Sequence, residues 1–463
     1  MDNTNKKSKI HPDIRDVWIV ARVAQMTIGF HLGLYLYTYG VFAYESFGGA
    51  NNPSALQLTA IVFIIGNAVM FLSDVPMGAL ADYLGRKKTI VATFLFRALF
   101  FFLLAWVPFV SSTRSAFILA AAAYASFGIG YTLYSGSFVA WVADTLRERN
   151  HPEGLGIILG RSYGHMALAQ IIGAAIGLPL YLHGYIFYAF AVGFTSSILC
   201  ALFCTIIMKE TKGLNFHHGK LSWKHSAQRM KTIMMDGFKI TIQTPAVTYL
   251  MMMYASFMFL QHVIAYFWPV AMKANFGVGK MSPYWYFIVF SGLGLMFLGS
   301  KMMEWVSHFK RTAGNENKSN NAVIWLWFVL IAFVMSVPIF YLGLKTNQGN
   351  TSLPLFMTAV VLSKFGYGFL RPCYETLVNH YIPPEHSQKR ATVMSFAGML
   401  VSAMVIVLMI PSAGKSGEAT TVGWLVPSGI LFCLTVVLHF LMRRYQKSIG
   451  EIPASLEKIQ EVV

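Results

Sequence analysis

Gly78-Ala-Leu-Ala-Asp82-Tyr-Leu-Gly85-Arg86-Lys87-Lys88 lies between two long apolar runs and decides how the chain is read. One carboxylate, two glycines and three consecutive cations share this short stretch. Each has a physical use at the end of a helix. Gly85 permits a tight turn, and Gly78 lets a neighbouring helix come close. Asp82 and Arg86 can lock two helices in one conformation through a charge-assisted hydrogen bond. A generic basic stop after a helix would need only Arg86, Lys87 and Lys88.

The segments outward from this stretch are poor in charge. The chain has 463 residues, of which 56% are hydrophobic and 12% charged. Soluble proteins carry about 25% charged residues, so three soluble domains of this total length would lack polar surface. A membrane-spanning helix needs about 20 mostly apolar residues. Such runs cover 17–43, 55–81, 89–110, 116–146, 156–181 and 184–208, then 246–272, 283–305, 322–344, 352–381, 390–411 and 422–442. The runs are continuous rather than alternating, which disfavours a barrel. The expected organisation is an all-α integral membrane protein of 12 transmembrane helices in two six-helix bundles. Its parts are an N-terminal segment 1–16, a first bundle 17–208, a polar linker 209–245 with an amphipathic helix, a second bundle 246–442 and a tail 443–463. The first run is too long, and preceded by too polar a segment, for a cleaved signal peptide.

The net charge of +17 invites a nucleic-acid reading, which the positions of the cations exclude. Of 36 Lys and Arg, 26 fall on one side: the two ends, the linker and the loops that share their side. Five lie in the opposite loops and five within spans, namely Arg22, Arg97, Arg161, Lys364 and Arg371. The positive-inside rule then places both termini in the cytoplasm. Cys200, Cys204, Cys373 and Cys433 all sit in apolar runs and read as packing residues, not as a disulfide or zinc framework.

At every defined position, residues 78–87 match G-x-x-x-D-x-x-G-R-[RK], the loop 2–3 signature of the major facilitator superfamily. The resemblance covers the whole chain in architecture. It implies secondary transport by rocking of two bundles around a midplane site. In that family an acidic residue at the cytoplasmic end of span four joins the motif's charges, and Asp144 fits the place. The resemblance therefore implies an Asp82–Arg86–Asp144 cluster that closes the cytoplasmic side. The second half carries echoes. A shift of 222 residues lays Ser300, Glu304, Ser307 and His308 on Gly78, Asp82, Gly85 and Arg86. Phe365-Gly366-Tyr-Gly368 repeats Phe127-Gly128-Ile-Gly130 at a shift of 238. Together they point to internal duplication.

Two features depart from the family's proton-coupled drug exporters. Span four, Tyr124-Ala-Ser-Phe-Gly128-Ile-Gly130-Tyr131, has no arginine. Span five offers Gly173-Ala-Ala-Ile-Gly177-Leu-Pro179, a loose small-xxx-small pattern, in place of their Gly-Pro signature.

An ionisable group at membrane depth costs about 3 kcal/mol on insertion scales and is by default a functional candidate. Lys364 lies about 18 Å from the outer end of span ten, at 1.5 Å per residue. On the helix wheel Arg371 and Glu375 each fall about 20° from it, with Tyr367 close by. This stripe reads as an anion-attracting wall, or else as a structural Arg371–Glu375 pair beside the cytoplasmic gate. His31 and Tyr35 in span one, and Gln261, His262 and Tyr266 in span seven, are further cavity candidates, since the resemblance places both spans at the cavity. Glu375, His31 and His262 could each carry a proton. Arg161 with His165 in span five, and Arg97 with Asp74 as a partner, are secondary candidates.

No Walker loop, zinc signature or nucleophile motif is present, so neither a cofactor nor a metal is expected, and enzyme activity has no support. The expected partners are membrane lipid and a small anionic substrate, carboxylate-rich or amphipathic, such as a metal chelator or a metabolite. A proton-coupled multidrug exporter is the alternative, and a non-transporting sensor a more distant one. A monomer in a bacterial cytoplasmic (inner) membrane completes the expectation.

Overall fold

The computed structural model describes residues 11–52, 54–151, 155–210, 223–276, 283–312, 325–335, 337, 341, 352–382, 393, 396, 398–406 and 418–448. Among the described residues there is no strand. The helices are α1 (Arg15–Tyr35), α2 (Tyr39–Ser46), α3 (Ala55–Leu84), α4 (Arg86–Trp106), α5 (Thr113–Glu148), α6 (Leu155–Leu182) and α7 (Ile186–Ile207). They are followed by α8 (Trp223–Gln243), α9 (Pro245–Phe276), α10 (Pro283–Thr312), α11 (Trp325–Met335), α12 (Leu353–Tyr381), α13 (398–406) and α14 (Glu418–Ser448). Among the described residues, eight helical segments are long and apolar enough to cross a membrane. Their outer faces are apolar too: Leu72 is 69% exposed and Ile206 is 77% exposed. In water such faces would be a liability, whereas hydrocarbon solvates them.

Packing sorts the helices into two groups. In the first, α1 lies against α6 and α7, α4 against α5 and α7, and α3 against α5. In the second, α10 packs on α12, and α9 on α12 and α14. The groups touch where α6 meets α10 and α2 meets α9, while α8 lies against both α9 and α3.

Small residues set the closest of these contacts. A Cβ on Gly33 would sit 2.2 Å from the Gln170 carbonyl oxygen, and one on Gly173 would sit 2.2 Å from that of Phe30. Larger side chains would therefore push α1 and α6 apart. Without a hydrophobic drive between helices in lipid, such backbone approach is a main source of cohesion. The Gly173/Gly177 spacing thus serves bundle packing.

The first apolar run is broken. The helical ladder lapses at residues 36–38, where the Thr38 N–H and hydroxyl both donate to the Tyr35 carbonyl, at 3.1 and 3.2 Å. A β-branched residue that hydrogen-bonds backwards competes with helix continuation, so α1 and α2 are separate.

The Phe-Gly-x-Gly echo does not superimpose contact for contact. Gly128 faces α3 at Gly66 and Gly130 faces α4 at Thr93 and Phe96, but Gly366 faces α11 at Met335 and Gly368 faces α10 at Met296. The order of the neighbours is reversed between the halves. Both pairs still let two flanking helices approach one central helix.

Candidate functional site

The quoted stretch forms one of the tightest connections in the fold. Only Gly85 separates α3 from α4, with φ 99° and ψ 146°, a conformation essentially closed to residues with a Cβ. The first N–H groups of α4 need acceptors, and Glu210 supplies them from just beyond α7. Its Oε1 accepts from the Arg86 N–H at 2.9 Å, and the Lys87 N–H lies 3.2 Å from both carboxylate oxygens. The Trp141 indole N–H holds the preceding carbonyl, Lys209 O, at 2.8 Å. Glu210 caps from 124 residues away, so it leaves no local pattern in the sequence.

Arg86 is buried, and its Nη2 lies 3.1 Å from Asp144 Oδ2, with Arg147 3.8 Å from the other carboxylate oxygen. The Asp82 side chain lies outside the described residues. A Cβ on Gly78 would meet nothing within 4 Å among the described residues.

The α12 stripe forms a connected polar cluster. Arg371 Nη1 donates to the Tyr367 hydroxyl oxygen at 2.8 Å, and Arg371 Nε donates to Glu375 Oε1 at 3.3 Å. The same Oε1 accepts from the Tyr163 hydroxyl at 3.3 Å, across from α6 of the first group. The guanidinium carbon lies 5.3 Å from the Tyr163 ring centroid and 5.9 Å from that of Tyr367, within cation–π range. Tyr163 was absent from the expected site. Arg161 and His165, two residues to either side, drew attention as charged groups. Yet His165 shares its Nδ1 with the Arg161 carbonyl at 2.6 Å and packs edge-on to Trp18 of α1.

Two turns along α12 from Arg371, Lys364 is 9% exposed. Among the described residues no carboxylate pairs with it. Its stem passes Gly292 of α10, where an added Cβ would come within 3.2 Å of the lysine Cγ. Gln261 of α9 donates to the carbonyl of Ser363, the residue before Lys364, at 2.7 Å. Gln261 therefore holds the α12 backbone and does not present its amide group to a cavity. His262 is half-buried with Nδ1 2.7 Å from the Met258 carbonyl of its own helix. The Tyr266 side chain lies outside the described residues. Nearby, Tyr254 of α9 stacks on Tyr374 of α12, centroids 4.0 Å apart.

The first-group candidates do not join this cluster. His31 is fully buried against α7, with Nε2 2.9 Å from Ser196 Oγ and 3.3 Å from Ser197 Oγ, and packs edge-on to Phe101. Tyr35 sits in an aromatic core with Tyr39, Phe100, Phe101 and Phe127. Both point into their own bundle, contrary to the expectation for a cavity. Both lie in the last turns of α1, whose rotation, fixed by Gly29 and Gly33 against α6, turns them inward. Arg97 is not paired with Asp74. Its guanidinium lies 5.4 Å over the Phe127 ring, while Asp74 accepts from Ser135 Oγ at 3.1 Å. Asp74 also meets the second group, since a Cβ on Gly398 of α13 would lie 2.7 Å from its Oδ2.

Residues 21–409 match the sequence model of the Major Facilitator Superfamily. The chain belongs to the Major Facilitator Superfamily. Solved structures of transporters share the fold. The human organic anion transporter MFSD10 (TETRAN) is 15% identical with a TM-score of 0.60, covering 93% of this chain and all of that one. The peptide transporter POT in complex with sulfate is 13% identical with a TM-score of 0.66, covering 93% and 95%. The same transporter as a mutant with alafosfalin is 14% identical with a TM-score of 0.66 and the same coverage. No curated protein matches the chain by sequence. As a Major Facilitator Superfamily member the protein is a multi-pass membrane transporter of small molecules, not an enzyme.

Proposed function

We propose that the protein moves a small amphipathic organic anion across a cytoplasmic membrane by alternating access, with Lys364 as the group that attracts the anion. The observation that carries this reading is a buried ammonium without a carboxylate partner among the described residues, 9% exposed and at mid-helix. An uncompensated charge at that depth is costly, and an anionic cargo removes the cost when it binds. Arg371 is largely neutralised by Glu375, so it contributes shape and hydrogen bonds more than net charge. The tyrosines around it, Tyr163 and Tyr367, suit a cargo with an aromatic or apolar body. The match to a protein described as an organic anion transporter agrees with this class. The excess of Lys and Arg at the Gly85 end supports an orientation with that end, and both termini, in the cytoplasm.

A thermal-shift screen of the purified chain tests the class, because a ligand that binds the folded state raises its stability. Small organic anions should stabilise it, and the effect should vanish when Lys364→Ala and Arg371→Ala are combined. Stabilisation by lipophilic cations alone would favour the multidrug-exporter reading instead. Anion stabilisation that survives the double substitution would refute the binding wall.

A further inference from the structure

A second polar cluster lies where the segment before α1 meets the end of α5. We infer that His11, Asp13 and His151 form a binding site for one divalent transition-metal ion of the zinc type. One ligand atom from each of the three residues lies within 4.8 Å of the other two. His11 Nδ1 is 3.2 Å from Asp13 Oδ2, and the His11 and His151 ring centroids are 4.5 Å apart. Two donors on one tetrahedral ion, each about 2.1 Å from it, stand about 3.4 Å apart. Small rotations of these accessible side chains therefore close the set. Two imidazoles and a carboxylate are a borderline donor set that suits Zn2+, Co2+ or Ni2+ over Ca2+ or Mg2+. Three protein donors leave a fourth position to water.

The backbone around the three residues is fixed rather than loose. His11 caps the short helical turn Pro12–Ile14, and the Asp13 N–H points at its Nδ1 at 3.4 Å. On the other side α5 ends in a left-handed residue, Asn150, with φ 61°. The His151 N–H then reaches back to the Leu146 carbonyl at 2.8 Å and the Asn150 N–H to that of Arg147 at 3.0 Å, the pattern of a Schellman end. Arg149 ties the two sides together, donating to the Asp13 carbonyl and gripping the Asp16 carboxylate, with Nη2 2.8 Å from Oδ2. A bound ion would add a second tie between the segment before α1 and the end of α5, both within the first helix group. Linear spacing gave no hint of it, because His151 is far from His11 in sequence and only the fold brings them together.

Metal titration of the full, tag-free chain tests the site, with Zn2+ followed by calorimetry and Co2+ by its visible absorption. Wild type should take up one ion per chain at this site, and Zn2+ should raise its melting temperature. Combining His11→Ala with His151→Ala should abolish that uptake and the shift while the metal-free chain still folds and melts cooperatively. Asp13→Asn alone should weaken binding by at least the ~10–100-fold that loss of an outer-shell partner costs. Equal uptake and an equal shift in the double variant would overturn the proposal, as would no uptake by the wild type.

Discussion

The Tyr163 hydroxyl and Glu375 Oε1 lie 3.3 Å apart and join α6 of the first helix group to α12 of the second. Glu375 also receives Arg371 from one turn earlier on its own helix. This hydrogen bond therefore binds the two groups at the cluster nearest to Lys364. Under the proposed alternating access, rocking of the groups breaks this bond, which favours the state in which they meet here.

Tyr163→Phe keeps the ring against Arg371 but removes the donor. A hydrogen bond to a charged group contributes about 1.5–3 kcal/mol net, or a shift of about 10-fold or more in an equilibrium constant. The variant should populate the separated state more, read as a longer distance between spin labels on α6 and α12. An unchanged distance distribution would show that the contact does not hold the groups together.

Gly85 and Gly78 should respond oppositely to alanine. Gly85→Ala forces a Cβ into a backbone region costing about 1–3 kcal/mol, so the melting temperature should fall. Gly78→Ala meets open space among the described residues, inside a helix, where alanine is favoured by about 1 kcal/mol, so stability should hold or rise. A loss at Gly78 equal to that at Gly85 would contradict the structure.

Glu210→Gln leaves an acceptor for the α4 N–H groups but removes its charge, whereas Glu210→Ala removes both. Loss of a helix cap costs about 1 kcal/mol, and the dipole interaction adds about 0.3–1 kcal/mol. Alanine should therefore lower the melting temperature more than glutamine does. Equal melting temperatures for both variants and wild type would dismiss the cap.

His31→Ala should behave as a packing defect. The ring is held by Ser196 and Ser197 and buried against Phe101, so its removal should lower stability. Anion-dependent stabilisation should persist. If the anion response disappears while the fold holds, His31 faces the cargo after all.

Much of the scaffold is legible in the sequence, and the reasons are local. Length and hydropathy mark α3 through α7, whose ends fall within a few residues of the apolar runs, because a membrane span is a one-dimensional property. Gly85 is legible because a turn of one residue with positive φ leaves glycine little competition. The Arg371–Glu375 pair is legible because the two are one helical turn apart. Helix rotation is not: His31 and Tyr35 face α7 and the aromatic core, since glycine contacts with α6 orient α1. Partners supplied from distant helices are hidden as well. Tyr163, Glu210 and the His11–His151 pairing depend on which helices become neighbours, and residue spacing carries no record of that.

Lys364 is proposed to draw an organic anion into the transport path. Counterflow in proteoliposomes, using the labelled anion that best stabilises the wild type, compares wild type with Lys364→Met, which keeps the length and apolar stem of the side chain. Loss of a charged contact worth about 1.5–3 kcal/mol should lower uptake at sub-saturating anion by about 10-fold or more. Uptake by Lys364→Met equal to that of the wild type, at equal protein in the vesicles, would contradict the account.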